Sequence, residues 1–357
     1  MGGYFFRLEG YSMKRIVTLS IILMTVISLK LCYGEETQVR KVDSETYELS
    51  DIKTNSPEAE IAQLFNRVKL LNNETGGFDA KDLEVESEIK NLCQEIIRLN
   101  KDKIYNFTIL AYAHYKLEDR EKAFSLLNEA LKTNERDALA HTLLARIYNI
   151  RGNCNAALSE LNMAYEFQDS EVLPYIFMTY SAVYNKLGDY KKVCEYTEKS
   201  IELDERCLTA YLTLSKTYFY GLQDYNKTVQ ICKRGLQFYP DRCILWFFLG
   251  NAYNLLHEPT KALDALKKAE NLECEEVIQN SFNLGFVFAY LELGNYIKAR
   301  EYAERNPELF SEWLPNLRKL DYMQREGKER GSDEVKKESE IIIEELIVMY
   351  RKIRIQF

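Results

Sequence analysis

From Ser56 onward, apolar residues return every three to four positions, which predicts one-sided helices rather than strands. Ile61, Leu64, Phe65 and Val68 share one face after Ser56-Pro57, a start in which serine caps and proline fits the first turn. Asn72-Asn73-Glu74-Thr75-Gly76-Gly77 ends that helix. A second, over about 83–100, puts Ile89, Leu92, Cys93, Ile96 and Ile97 on one side. Residues 56–103 therefore predict a degenerate helical hairpin, suited to capping the N-terminal end of a larger helical array.

From Tyr105 the chain repeats itself. A small residue recurs where the second helix of a hairpin would cross the first: Ala123, Ala157, Val193, Thr228, Ala262 and Ala299, at spacings of 34, 36, 35, 34 and 37. A bulky residue late in each first helix keeps the same rhythm at His114, Tyr148, Tyr184, Tyr218, Tyr253 and Tyr290. So do small residues earlier in that helix (Ala111, Ala145, Ser181, Ser215, Gly250) and late in the second (Ala130, Ala164, Ser200, Gly235, Ala269). Small residues let two helices approach closely, and the aromatic fills the space beside the contact. The clearest unit is Pro174 to Glu205, two helices joined at Leu187-Gly188-Asp189-Tyr190.

LGDYKKVCEYTEKSIELD at 187–204 and WFFLGNAYNLL at 246–256, supported by ALSELNMAY at 157–165 and LGNYIKAREYA at 293–303, resemble the 34-residue tetratricopeptide repeat. The resemblance covers about 104–306 in six copies. It implies an all-α, right-handed superhelical solenoid of stacked antiparallel helix hairpins. Some copies depart from the pattern. In the fourth, Gly221 stands where Leu187 would, with an extra residue before Tyr225; the fifth turns through His257-Glu258-Pro259. In the last, Leu284-Gly285 and Leu293-Gly294 imply two registers.

Beyond Pro307, FSEWLPNLRKLDYMQ reads as a helix interrupted near Pro315, and REGKERGSDE as a charged break. A terminal helix over about 333–354 aligns Ile343, Leu346, Ile347, Tyr350 and Ile353. Residues 307–357 are expected to cap the array, the alternative being a separate docking helix.

Ahead of the repeats, Lys14-Arg15 precedes fourteen uncharged, mostly apolar residues, Ile16 to Leu29, with small residues at Cys32 and Gly34. This predicts a secretory signal in 1–34, cleaved after Gly34. The alternatives are an uncleaved anchor, with 16–31 as membrane tether, or a lipid-modified Cys32. The repeats would be periplasmic or secreted, or held outside the cytoplasm by the anchor. Residues 35–55 are polar and predict a linker.

The formal charge of −8 becomes more negative without that segment. Residues 1–34 hold four basic and one acidic residue, leaving 43 basic against 54 acidic. A nucleic-acid binder needs a basic stripe, and none is present. Three histidines leave little for metal or triad chemistry, and no HExxH, phosphate-cradling loop or Gly-x-Ser-x-Gly elbow occurs. No enzyme, metal site or cofactor is expected. Of eight cysteines none forms a CxxC pair, and equivalent positions on neighbouring hairpins lie too far apart to bridge. The thiols are expected to serve packing. Asn73, Asn106 and Asn226 begin glycosylation triplets that fall in or against helices.

In the family resembled, first helices line a concave binding side. Steps of three and four residues along them select Tyr105, Tyr112, Tyr115, Arg146, Asn149, Tyr175, Asn185, Lys186, Lys216, Tyr220, Phe247, Asn251 and Asn254. Rigid aromatics with amides and a few cations suit a peptide or protein segment. The lysine/asparagine/arginine clamp of chaperone-binding members is absent, since Thr108 and Tyr112 stand at its positions. The expected function is an exported scaffold that binds a protein partner in this groove. The alternative is an assembly subunit of a cell-envelope complex, working through its convex face or C-terminal helix.

Overall fold

The computed structural model describes residues 40–41, 47–48, 56–74, 83–101, 103–104, 106–167, 169–272, 276–330 and 333–353. The chain divides into two units, 1–60 and 61–357. In the first, β1 (Arg40–Lys41) and β2 (Tyr47–Glu48) pair antiparallel with Arg40 opposite Glu48, a short ladder inside the segment expected to be a linker. The signal or anchor expected in 1–34 lies outside the described residues.

The remaining described residues form helices and the turns between them. A first pair, α1 (Pro57–Glu74) and α2 (Leu83–Leu99), precedes six hairpins. These are α3 (Phe107–Lys116) with α4 (Arg120–Thr133), α5 (Ala138–Ile150) with α6 (Cys154–Glu166), and α7 (Leu173–Lys186) with α8 (Tyr190–Leu203). They continue as α9 (Leu208–Lys216) with α10 (Tyr225–Phe238), α11 (Cys243–Leu255) with α12 (Pro259–Glu270), and α13 (Glu276–Glu292) with α14 (Tyr296–Glu304). Two further helices close the chain, α15 (Leu314–Arg330) and α16 (Asp333–Ile353).

Five of the hairpins turn by the same chemistry. The residue before the second helix is Asp119, Asn153, Asp189, Asp224 or Asn295, and its side chain accepts the amide three residues on at 3.0–3.2 Å. That satisfies one of the amides a helix start leaves bare. In the fifth hairpin Glu258 makes no such bond and Pro259 opens the helix instead. Just before the cap, the chain passes through the left-handed region at Glu118, Gly152, Gly188, Gln223, His257 and Gly294.

The small columns sit where the rhythm predicts. Ala123, Ala157, Val193, Thr228, Ala262 and Ala299 are all fully buried, as are Ala111, Ala145 and Ser215 in the facing helices. The aromatic column is pinned from above. Lys192, Lys227, Lys261 and Lys298 stand over Tyr184, Tyr218, Tyr253 and Tyr290 at 4.4–5.5 Å from the ring centres. In the second hairpin a different device holds the pair together. His141, buried, places Nδ1 2.7 Å from Glu160 Oε2 and Nε2 3.0 Å from the Glu135 carbonyl.

The fourth copy corrects the register expected from sequence. In five hairpins the cap amide donates to the carbonyl five residues back, as Asp189 does to Tyr184. In the fourth, Asp224 donates to Tyr218, six back, at 2.8 Å. The extra residue is absorbed inside the first helix as a π-helical turn, Thr217–Gly221, and not in the connecting turn. Leu222 rather than Gly221 therefore matches Leu187. In the sixth copy the turn runs through Leu293-Gly294-Asn295, and Gly285 lies within α13.

Two further expectations change. Pro315 does not interrupt a helix: it sits in the first turn of α15, which runs on through the charged residues to Arg330. Cys243 is disulfide-bonded, with its partner outside the described residues. The spacing argument treats equivalent positions on packed helices. Cys243 is the first residue of α11, beside inter-hairpin loops that this spacing does not govern. Cys93, Cys194 and Cys232 are buried free thiols, and Cys154 and Cys207 are half-buried ones.

Candidate partner-binding face

First helices touch between α3 and α5, α5 and α7, α9 and α11, and α11 and α13, making one face of the array. Residues that share a place on it can be aligned by counting back from the caps. Arg146 lies seven residues before Asn153, and Tyr112, Asn251 and Phe288 lie seven before Asp119, Glu258 and Asn295. Lys216 holds the same place before Asp224 once the π-turn residue is allowed for. These positions are treated very differently along the chain.

At the N-terminal end, α1 covers the face. Its Phe65 meets the Tyr112 ring edge-on at 5.1 Å, and Tyr112 is 2% exposed. Thr108, at a clamp position, is also buried and donates to Asp137 at 2.6 Å. Further along α1, Lys69 reaches Glu171, just ahead of α7, at 3.3 Å.

At the C-terminal end, α16 does the same. Ile342, Leu346 and Tyr350 are buried at four-residue steps, one stripe of that helix. The Tyr350 ring stacks on Phe288 at 4.1 Å, and its hydroxyl donates to Asn251 Oδ1 at 3.2 Å. Asn251 also donates to the Phe247 carbonyl, and Asn254 to the Gly285 carbonyl, each at 2.9 Å. Burial of three such side chains contributes about 1.5–3 kcal/mol each.

Four of the expected groove residues are consequently withdrawn from solvent: Tyr112, Phe247, Asn251 and Asn254. The first is covered by α1, and the other three belong to the core that α16 completes. Tyr105 lies outside the described residues. Sequence periodicity selects all of them because helical spacing marks a face, but says nothing of a later helix laid across it.

The remaining eight line α5, α7 and α9 with the edge of α3. Arg146 donates from Nε to the Tyr115 hydroxyl at 3.1 Å, with its guanidinium 5.8 Å from that ring centre. Lys186 donates to the Asn149 carbonyl at 2.7 Å, at the C-terminal end of α5 where the helix dipole favours a cation. Each bond joins first helices of consecutive hairpins. Asn185, Lys186 and Lys216 are exposed, while Tyr115, Arg146, Asn149, Tyr175 and Tyr220 are half-buried. Burial, followed by nearby Cys207, Asp204 and Glu171, pushes the Tyr175 phenol above its ordinary value, so it remains a donor. Tyr220 stands edge-on to Phe219 and Phe248 at 4.9 and 5.9 Å.

Among the described residues, no group of three or more His, Cys, Asp or Glu side chains stands where it could hold a metal, and no helix is long and apolar enough to cross a membrane.

Scanned against protein-family models, the chain matches none. It is 23% identical over 177 residues to anaphase-promoting complex subunit 3 of Schizosaccharomyces pombe; the match covers 50% of this chain and 26% of that protein. Among solved structures, a signal transduction ATPase with numerous domains, carrying a tetratricopeptide repeat sensor, from Pyrococcus horikoshii superposes with a TM-score of 0.56 at 17% identity. That superposition covers 85% of this chain and 50% of the archaeal one. The fold is that of the tetratricopeptide repeat. Pseudomonas aeruginosa pilF is a further neighbour, with a TM-score of 0.49 at 14% identity over 62% of this chain and 96% of its own. The chain thus spans about a quarter of the curated relative it matches and half of the archaeal protein.

Proposed function

We propose that this protein is an exported scaffold that holds a segment of a partner protein on the open part of its first-helix face. The observation that carries the reading is the pair of cross-hairpin bonds, Arg146 to Tyr115 and Lys186 to Asn149. They fix polar side chains from consecutive hairpins into one strip while leaving Asn185, Lys186 and Lys216 in water. A preformed strip of rigid aromatics, amides and cations lowers the ordering cost of capturing a chain. Repeat arrays use extended surfaces of this kind for recognition. Assembly through α16 is less favoured, because its apolar stripe is already buried within the molecule. Export rests on the apolar run from Ile16 to Leu29 after Lys14-Arg15, and the Cys243 disulfide supports it, since such bonds persist in oxidising compartments.

The test is site-specific photocrosslinking in cells. A crosslinker at Asn185 or Lys216 should trap one partner species, and one at Lys191 or Glu202 on α8 should not. Equal trapping from α8 would reject the face. Sequencing the N-terminus of the same material should find a chain that starts after Gly34; a retained Met1 or Met13 would reject cleavage.

A further inference from the structure

We infer that the open stretch over α5, α7 and α9 takes an acidic segment of a partner protein, extended and roughly seven to nine residues long. This rests on the reading of that face as a docking surface, and adds the charge and length of what docks.

The charge is set by where the cations stand. The chain carries a net −8, yet the open stretch presents Arg146, Lys186 and Lys216. Its other positions on those helices, among them Leu139, Asn149, Met178, Asn185 and Tyr220, include no carboxylate. Acids stand at the helix ends: Asp137, Glu171 and Asp204 in the segments before α5, α7 and α9, and Asp189 and Asp224 beyond Lys186 and Lys216 as the caps of α8 and α10. Glu171 is already paired with Lys69. Neither Lys186 nor Lys216 forms an ion pair with a carboxylate among the described residues; Lys186 donates to backbone carbonyls only.

The length is set by what covers the ends. Where the face is apolar or amide-lined, at Tyr112, Asn251 and Phe288, α1 and α16 lie over it. Among the described residues, the exposed positions of this face include Asn185 and the cations Lys186 and Lys216. Three first helices at about 8–10 Å spacing make a window of roughly 25 Å. An extended chain rises about 3.3 Å per residue, so seven to nine residues fill it. The cations at both ends and middle of that window would meet carboxylates two to four residues apart along the segment.

The experiment uses the full 357-residue chain and an array of random nine-residue peptides, followed by fluorescence anisotropy on the best binders. Binders are expected to be enriched in Asp and Glu. Affinity should fall about tenfold or more in Lys216→Glu, and again between 50 and 500 mM NaCl, with an unchanged melting temperature. Lys216 makes no side-chain bond among the described residues, so this variant tests the surface without disturbing the fold; Lys186→Gln serves as the second. Lengthening a binder from seven to nine residues should raise affinity, and from nine to thirteen should not. Neutral or basic binders that still depend on Lys216 or Asn185 would overturn the acidic assignment while leaving the docking face intact. Absence of any binder sensitive to those residues would overturn both.

Discussion

The Tyr350 hydroxyl donates to Asn251 Oδ1 across 99 residues of sequence, tying the last helix to the first helix of the fifth hairpin. Asn251 is wedged for this bond. A Cβ on Gly285 would come within 3.0 Å of its Oδ1, and its amide nitrogen is held by the Phe247 carbonyl. The terminal helix therefore does not simply continue the stack. It lies on the first-helix face, against Asn251 and Phe288.

Removing the hydroxyl and removing the ring should have separable effects. Tyr350→Phe is expected to cost about 0.5–1.5 kcal/mol, the net worth of a hydrogen bond. Tyr350→Ala also removes the stack on Phe288 and should cost about 3–5 kcal/mol. Urea unfolding of the two variants measures the difference. Equal and negligible shifts would mean that α16 does not hold this face.

His141 predicts a pH dependence. Burial disfavours its charge, but the hydrogen bonds to Glu160 and to the Glu135 carbonyl, with the fields of Glu160 and Asp137, more than offset this and raise its pKa above the usual histidine value. The imidazolium is thus favoured in the fold. Its stabilisation is fully present below about pH 6.5, the unfolded value, and is lost as pH rises through the folded pKa. The urea midpoint should fall between pH 6 and pH 9. His141→Gln should flatten that slope, and an unchanged slope would assign the dependence elsewhere.

The thiols predict a labelling pattern. Burial pushes Cys93 and Cys194 up to about 11 and Cys232 up to about 12, so each is a thiol rather than a thiolate at pH 8. Iodoacetamide should spare all three in the native protein and modify them after unfolding. Cys243 should stay unmodified until a reductant is added. Its modification in unfolded, unreduced protein would refute the disulfide.

Much of the scaffold was legible in the residues. The column from Ala123 to Ala299 and the aromatics from Tyr148 to Tyr290 report helix crossings directly, because close approach tolerates only small side chains. The π turn was not legible. An inserted residue can be absorbed in the turn or in the helix, and only the Asp224 to Tyr218 hydrogen bond separates the two. The face itself was half legible. Periodicity places Arg146 and Asn251 on the same side of equivalent helices, but whether water or another helix lies over them depends on α1 and α16. Those helices lack the repeat signature. Tyr350 was recognisable as part of an apolar stripe, with no sign of where the stripe would settle.

A linear stack of repeats ordinarily frays from its ends, where the last unit has lost one neighbour. Here α1 and α16 act as bolts on those ends, while the central hairpins rest mainly on adjacent units, with the surface pair Lys69–Glu171 as an added tie from α1. The weakest link is moved inward, to α7 and α9 with its π turn. Amide hydrogen exchange should be fastest to open there and slowest in α11 and α13. Docking would then tighten the part of the array with the most freedom to lose, and occupancy would register as a slowing of exchange in the middle of the chain.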